Sequence, residues 1–531
     1  MKIKCSIFCL FPFLIFQSLG QVPSVSWAKS FGNSTIGYDI ISSLDGNIII
    51  LGGVNASDTV VNCNLKGDQD ILVTKIDPAG NILWQHCYGG SNDEGFFSGN
   101  TILQTNDHGY IFSTRTLSND GDVSGNDAYD DIWVVKIDSI GTIQWQHCYG
   151  GLGSDVPAGI IQLDNDYFII IGLTNSPPGN DIPFRYGSSF DNDVLAIKID
   201  KDGNLLWSDV YGGSAEDAIR SVRKISPNLL QMVGHTTSGD GNLEFVLPVY
   251  GNSDGWLIRI DSNGSVLDQK RYGGESSDEL NDQLVNGDGS SVLFGSSSSS
   301  TGEFANNHGY DEYWAIKIDF NKNKIWQNLY GGSGVEEGKK ILEAPYNSGY
   351  YLMGNSNSAD GQISDHHGLG RGGCGLCNDF WIVKTNLSGE LLWEISLGGS
   401  KLEYAYGMLS KNEDLIVTGY SESTDGDATI SGVGALTIDL VDFNSISIQS
   451  NNPSFKLFPN PTKGNLNFLT TNELAKSLQL QIFNVQSQLI QQYKIERSNQ
   501  SIWLNASPGI YFYRIIDSEN QLFSTGNLLI Q

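Results

Sequence analysis

A carboxylate stands four residues after the second glycine of each of six glycine pairs: Glu94, Asp155, Asp217, Asp278, Glu336 and Glu403. Acids held at one phase of a repeat could ring a channel mouth and bind cations or a basic ligand. Two of them at a suitable separation could act as the acid and base of a hydrolase. Each could equally be a turn acid that accepts backbone N–H groups. A second acidic set opens a family of loops: Asp120 and Asp122 in "SNDGDVSG", Asp240 before Asn242, Asp360 before Asp365, and Asp425 and Asp427 in "STDGDA". Alternating oxygens around a Gly turn suit calcium, the one cofactor the sequence suggests. None of these loops has the EF-hand spacing or its closing Glu, and as Asx turns they need no metal.

No nucleophile and base form a recognisable set, and HExxH and P-loop patterns are absent. His308, His366 and His367 lie in loops of the same family, with Tyr310 and Asp365 nearby. Loop aromatics Tyr129, Phe184, Tyr186, Phe190, Phe245, Tyr250 and Phe304 could stack on sugar rings, anchor a partner protein, or pin long loops down.

The elements that must position these groups repeat with them. Trp27, Trp84, Trp145, Trp207, Asp268, Trp326 and Trp393 share one phase, with steps from 57 residues (27 to 84) to 67 (326 to 393). A period of this size points to a solenoid, a propeller or an array. Each unit carries four short segments rich in β-branched and aromatic residues and bounded by turn residues, as in "AGIIQLDN", "YFIIIGLT", "DVLAIKID" and "NLLWSDVYG". Four antiparallel strands repeated seven times predict an all-β chain, a seven-bladed β-propeller over residues 21–445. With strands named A to D outward from the axis, the A–B and C–D turns are tight. The B–C loops are long, near 52–69, 115–130, 174–192, 236–253, 297–311, 355–378 and 421–433, and their face is where binding is expected. The first strand, 24–31, is a lone D-type strand expected to pair with 434–443 and close the ring. The Trp series reads as blade-to-blade packing. Lys75, Lys136, Lys198, Arg259, Lys317 and Lys384 read as partly exposed or carboxylate-paired residues of strand C.

A net charge of −29 argues against nucleic acid, whose binding relies on Lys and Arg. Lys2 and Lys4 precede an apolar run from Cys5 to Phe16, a pattern expected of a signal peptide over 1–20. No later segment reaches the length of a transmembrane helix. In an oxidising compartment Cys374 and Cys377 could close a small disulfide loop, while a redox CxxC or half a zinc site are the competing readings. Cys87 and Cys148, alike in two repeats, read as buried thiols.

Past a linker at 446–454, alternating apolar and polar segments over 455–531 predict a separate, small C-terminal β-sandwich. Pro459, Asn460, Pro461 and Gly464, then Phe483 and Asn484, then Gly509 and Tyr511 within "PGIY", and a short apolar terminal strand, resemble the type A sorting domain of the type IX secretion system of Bacteroidetes. Asn527 stands where such domains commonly have Lys. The resemblance implies export to the cell surface or medium, with the secretion machinery and a sortase-like peptidase as partners. The repeats also resemble those of surface proteins with such tails, and the "D-x-x-G-x-x-x-W" element resembles repeats of quinoprotein dehydrogenases, without a quinone pocket. The expected function is non-enzymatic binding of an extracellular glycan or protein through the B–C loop face, with a glycan-active hydrolase as the alternative.

Overall fold

A computed structural model describes residues 23–441 apart from 96–98, 127–128, 165, 189, 244–250, 365, 368–376, 412–413 and 429–433, together with the strands between Phe455 and Ile530. Contacts divide the chain into two compact units after Val441. The first unit contains seven four-stranded antiparallel sheets. Six are consecutive in sequence. Blade 1, for example, runs Thr35–Ser42, Ile48–Asn55, Gln69–Ile76 and Ile82–Tyr88 from strand A to strand D. The seventh joins Glu403–Lys411, Asp414–Ser421 and Gly434–Val441 to Ser24–Ser30, whose register runs from Ser24 opposite Val441 to Ser30 opposite Leu436. The first strand therefore completes the last blade as its outer strand and covers the edge of Gly434–Val441.

The inner A strands pack against one another in a closed ring, from blade 1 round to blade 7 and back. The middle strands B and C are near-continuous apolar runs, as in Ile48–Asn55, Asp131–Ile137 and Phe168–Thr174, so each sheet offers an apolar face to both neighbours. The result is one hydrophobic core at every blade junction rather than one for the unit. The tryptophans buried most completely are those of strand C, Trp133, Trp256, Trp314 and Trp381. Trp84, Trp145, Trp207 and Trp326 of strand D are half-buried and lean on the C–D turn of the following blade; the Trp145 and Trp326 indoles donate to the carbonyls of Lys201 and Leu387 there. The same turn receives a tyrosine hydroxyl just ahead of the glycine pair: Tyr88 donates to Gly141 O at 2.6 Å, Tyr211 to Gly264 O at 2.6 Å and Tyr272 to Lys322 O at 2.9 Å. Tyr149 and Tyr330 do likewise with Gly203 and Gly389.

One expectation is narrowed here and one corrected. Of the two readings of the strand C cations, carboxylate pairing holds for the buried Lys75 and Lys136, which lie 2.7 Å from Asp45 and 2.8 Å from Asp107, and Arg259 and Lys384 are buried as well. Cys87 is not a thiol but is bonded to Cys63 of the B–C loop, with Cα atoms 5.7 Å apart, whereas its repeat mate Cys148 remains a half-buried thiol. The loop of blade 1 supplies a cysteine, and blade 2 has none in its loop.

The second unit has a three-stranded sheet, Phe455–Phe458, Asn465–Thr470 and Asn499–Trp503, and a four-stranded one ordered Leu489–Ile495, Leu478–Phe483, Gly509–Ile516 and Leu522–Ile530. Ile502 of the first sheet shares a core with Leu480, Ile482, Ile495 and Ile515 of the second, which makes a β-sandwich. Gly509 opens a strand and Tyr511 packs on this core, while Pro459, Asn460, Pro461, Gly464 and Asn484 lie outside the described residues, as do 1–20 and the 446–454 linker.

Tyr211→Phe removes one junction hydrogen bond and leaves the Gly264 carbonyl without that donor. It should lower unfolding free energy by about 1 kcal/mol in urea titration; a variant as stable as wild type would remove this bond from the set that holds the ring together.

Candidate ligand-binding site

The six repeated acids are placed by the turn between strand D of one blade and strand A of the next. Each is fully buried. Each accepts the N–H of the second glycine of its pair, at 3.0 Å for Glu94, 2.8 Å for Asp155, 2.6 Å for Asp217, 2.7 Å for Asp278, 2.9 Å for Glu336 and 3.2 Å for Glu403. Hydroxyls at the end of strand B donate to the same carboxylates: Thr116 to Glu94, Ser176 to Asp155, Ser238 to Asp217, Ser299 to Asp278, Ser356 to Glu336 and Ser421 to Glu403. These carboxylates are enclosed clamps of the blade junction, not a ring facing a ligand. The hydrolase reading therefore loses its acids at these positions.

The loop aspartates are committed in a similar way. Asp120, Asp240, Asp360 and Asp425 each accept the N–H of the serine after the glycine pair, Ser91, Ser214, Ser333 and Ser400, at 2.7 to 2.8 Å. Asp122 pairs with Lys66 and accepts the Gly89 N–H, and Asp427 lies 3.5 Å from His367. Among the described residues no three His, Cys, Asp or Glu side chains converge as metal ligands. The expected Asx turns are not what holds Asp120, Asp240, Asp360 and Asp425: their backbone donors belong to serines 25 to 29 residues away in sequence. These bonds also join the B–C loops to the D–A connections, so both belong to one face of the disk.

The remaining candidates separate one by one. His308 sits 2.7 Å from the buried Glu312, and His366 and His367 lie 3.0 and 3.2 Å from Asp379. Burial alone would raise the Asp379 carboxyl, but the two imidazoles hold it below the usual range. Cys377 is buried and disulfide-bonded, and Cys374, its expected partner, lies outside the described residues with Asp365, Phe245 and Tyr250. Phe304 is buried against Trp314 with centroids 5.6 Å apart, so it pins its loop. Phe184 and Tyr186 pack edge to face on each other. Phe190, Tyr310 and Tyr129 remain exposed, at 91%, 73% and 66%.

Sequence reasoning missed the cavity on the propeller axis, about 300 Å³ in volume. Its wall draws on the inner strands of all seven blades, and its geometry has a single origin. Three residues after the clamp position, each of six inner strands has a β-bulge: the ladder skips Tyr38, Ala158, Arg220, Asn281, Lys339 and Tyr406. A bulge inserts one unpaired residue and re-aims its side chain. All six bulged residues line the cavity. In blade 2, Glu94 bridges Thr116 and Thr101 pairs with Ser113, and Gly99, Asn100 and Thr101 enter the wall. Gly99 has φ of +76° with the Pro157 carbonyl where a Cβ would lie, so only glycine fits. The signal was present in the sequence: that column reads Tyr, Phe, Ala, Arg, Asn, Lys, Tyr, while the clamp position three residues before it is acidic in all but the first, which has Thr35.

The site and fold define an exported seven-bladed β-propeller with a separate sandwich. Residues 456–530 match the secretion system C-terminal sorting domain. The chain thus carries a type IX sorting domain, which directs it out of the cell to the surface, and no helix of the described residues is long and apolar enough to cross a membrane. No curated protein matches the chain. Solved structures with similarity include a Synechocystis apocarotenoid oxygenase mutant, Glu150Asp (12% identity, covering 78% of this chain and 92% of that one, TM-score 0.34). A member of the DUF4221 family from Bacteroides vulgatus (10%, 79% and 97%, TM-score 0.34) and a puromycin hydrolase (9%, 83% and 59%, TM-score 0.41) are also similar.

Burial raises the Glu94 carboxyl to about 7, with the nearby Asp70 adding repulsion, and raises Asp193 and Asp217 to about 6. A folded-state pKa above the ordinary value means protonation favours folding. That contribution is complete below about pH 4 and is lost as pH rises through 6 to 7. Wild type should therefore be more stable at pH 5 than at pH 7.5, and Glu94→Gln should shrink the difference by up to about 3 kcal/mol in denaturant titrations at the two pH values. An unchanged pH dependence in the variant would show that Glu94 does not carry it.

Proposed function

We propose that this protein is a non-enzymatic binding propeller that captures an extracellular glycan through the face formed by its B–C loops. The observation that carries the reading is the exposure of Phe190, Tyr310 and Tyr129, all on B–C loops and all on a scaffold whose junctions are otherwise closed. Exposed aromatic rings on loops held by a rigid scaffold are suited to stacking on sugar rings. The acidic surface, with a net charge of −29, disfavours polyanions. An extracellular protein is the second occupant this face would fit, since aromatic anchors also serve protein interfaces. Export through the type IX machinery would end with a sortase-like peptidase removing the tail, leaving the propeller released or attached at the surface. A compact terminal domain with its own core suits a removable address.

Phe190→Ala, Tyr310→Ala and Tyr129→Ala change exposed side chains and should leave the melting temperature unchanged. Each should weaken binding to a glycan captured from a polysaccharide array by about three- to tenfold. An array on which wild type captures no glycan would overturn the reading in favour of the protein partner.

A further inference from the structure

The axial cavity has a chemistry of its own. Tyr38 and Tyr406 meet at its wall with ring centroids 6.2 Å apart and edge-to-face geometry. On other blades the bulges present Arg220, Asn281 and Lys339, a mixture of planar hydrogen-bonding groups and an ammonium. The lining carries three cations, Arg220, Lys339 and Lys340, and two carboxylates, Glu279 and Glu337. Lys339 is bonded to Glu337, Arg223 behind the wall is 2.8 Å from Asp282, and Glu279 faces the cavity from the strand beside that of Arg220. Lys340 acts electrostatically on the buried Asp39. With Lys339 bonded to Glu337, Lys340 acting on Asp39 and Glu279 at the wall with Arg220, no pair of unopposed cations is left among the described residues to clamp a phosphate or carboxylate. A polar wall excludes an apolar one, because its donors and acceptors would lose water without replacement. One apolar aromatic side and several donors and acceptors match an uncharged sugar ring, which has both an apolar face and hydroxyls.

Size and position add a constraint. About 300 Å³ is at the lower end of small-molecule pockets, roughly 300 to 1,000 Å³. The seven inner strands wall the cavity on every side, so a polymer cannot lie across it and only an end can enter along the axis.

We infer that the axial cavity takes the terminal sugar unit of an uncharged glycan, end-on, with Tyr38 and Tyr406 against the ring and Arg220, Asn281 and the Lys339–Glu337 pair on its hydroxyls. The inference deepens the glycan reading of the loop face and rests on it. No bond is made or broken in this step; it is recognition of a chain end.

The test titrates the tail-free secreted protein calorimetrically with neutral hexoses, pentoses and N-acetylhexosamines, with glucuronate and inorganic phosphate as charged comparisons. At least one neutral monosaccharide should bind, and neither charged probe should bind more tightly. Tyr406→Ala and Asn281→Ala should each weaken that binding by about tenfold, whereas Ile140→Ala, exposed on a C–D turn, should not. Tyr406→Phe keeps the ring and should bind like wild type, which separates loss of the ring from loss of folding. Absence of binding by every neutral monosaccharide, equal binding by Tyr406→Ala and Asn281→Ala, or preference for glucuronate or phosphate would overturn the inference. Where a polysaccharide binds wild type while no monosaccharide does, the loop-face reading stands and the end-on reading falls; where monosaccharide binds and no polysaccharide does, the loop face fails.

Discussion

The structure depends on one interaction repeated six times: a buried carboxylate that holds the N–H of a glycine pair and the hydroxyl at the end of strand B. The glycines come from strand D of one blade, and the acid begins strand A of the next, so each carboxylate fixes the passage of the chain from rim to axis. Glycine is required because the carboxylates approach its Cα closely: at Gly212 a Cβ would stand 2.2 Å from the Asp193 carboxylate and 2.8 Å from that of Asp217. Charge-assisted hydrogen bonds in a dry junction are strong, and their cost is the repulsion between the clamp and the acid that opens strand C. That repulsion, added to burial, is why Glu94 and Asp217 titrate well above ordinary carboxylates.

With the junctions fixed by clamps, tyrosine hydroxyls and seven apolar cores, two parts of the propeller are released from structural duty. One is the outer reach of the B–C loops, where Phe190 and Tyr310 stand in solvent while Phe304 on a sister loop is drawn into the core. The other is the bulge in six of the inner strands. A bulge breaks the ladder for one residue only, so its side chain can change from tyrosine to arginine to asparagine without disturbing the blade. The same architecture therefore repeats what must pack and varies what faces the axis.

The repeat itself was legible because packing constrains it: the period, the four strands, the closing role of Ser24–Ser30 and the composition break before Phe455 all follow from apolar alternation and turn residues. The clamp was legible only as a column of acids with two opposed readings. Nothing local in Glu94 or Asp155 says whether a carboxylate points into a channel or into a junction; the partner hydroxyls, Thr116 and Ser176, lie 22 and 21 residues away. The Cys63–Cys87 bond was hidden for a similar reason, since its two halves belong to a variable loop and a regular strand.

By itself the sequence determined the class of fold, the number of blades and the presence of an export tail, since these depend on periodicity and short-range motifs that every copy repeats. Tertiary structure alone decided which acids are buried, which aromatics remain in solvent and which residues meet at the axis. Those outcomes depend on bringing together side chains from different blades: the bulge column is visible in the sequence as a variable position, but that its side chains meet at the axis follows only from the closed ring of inner strands.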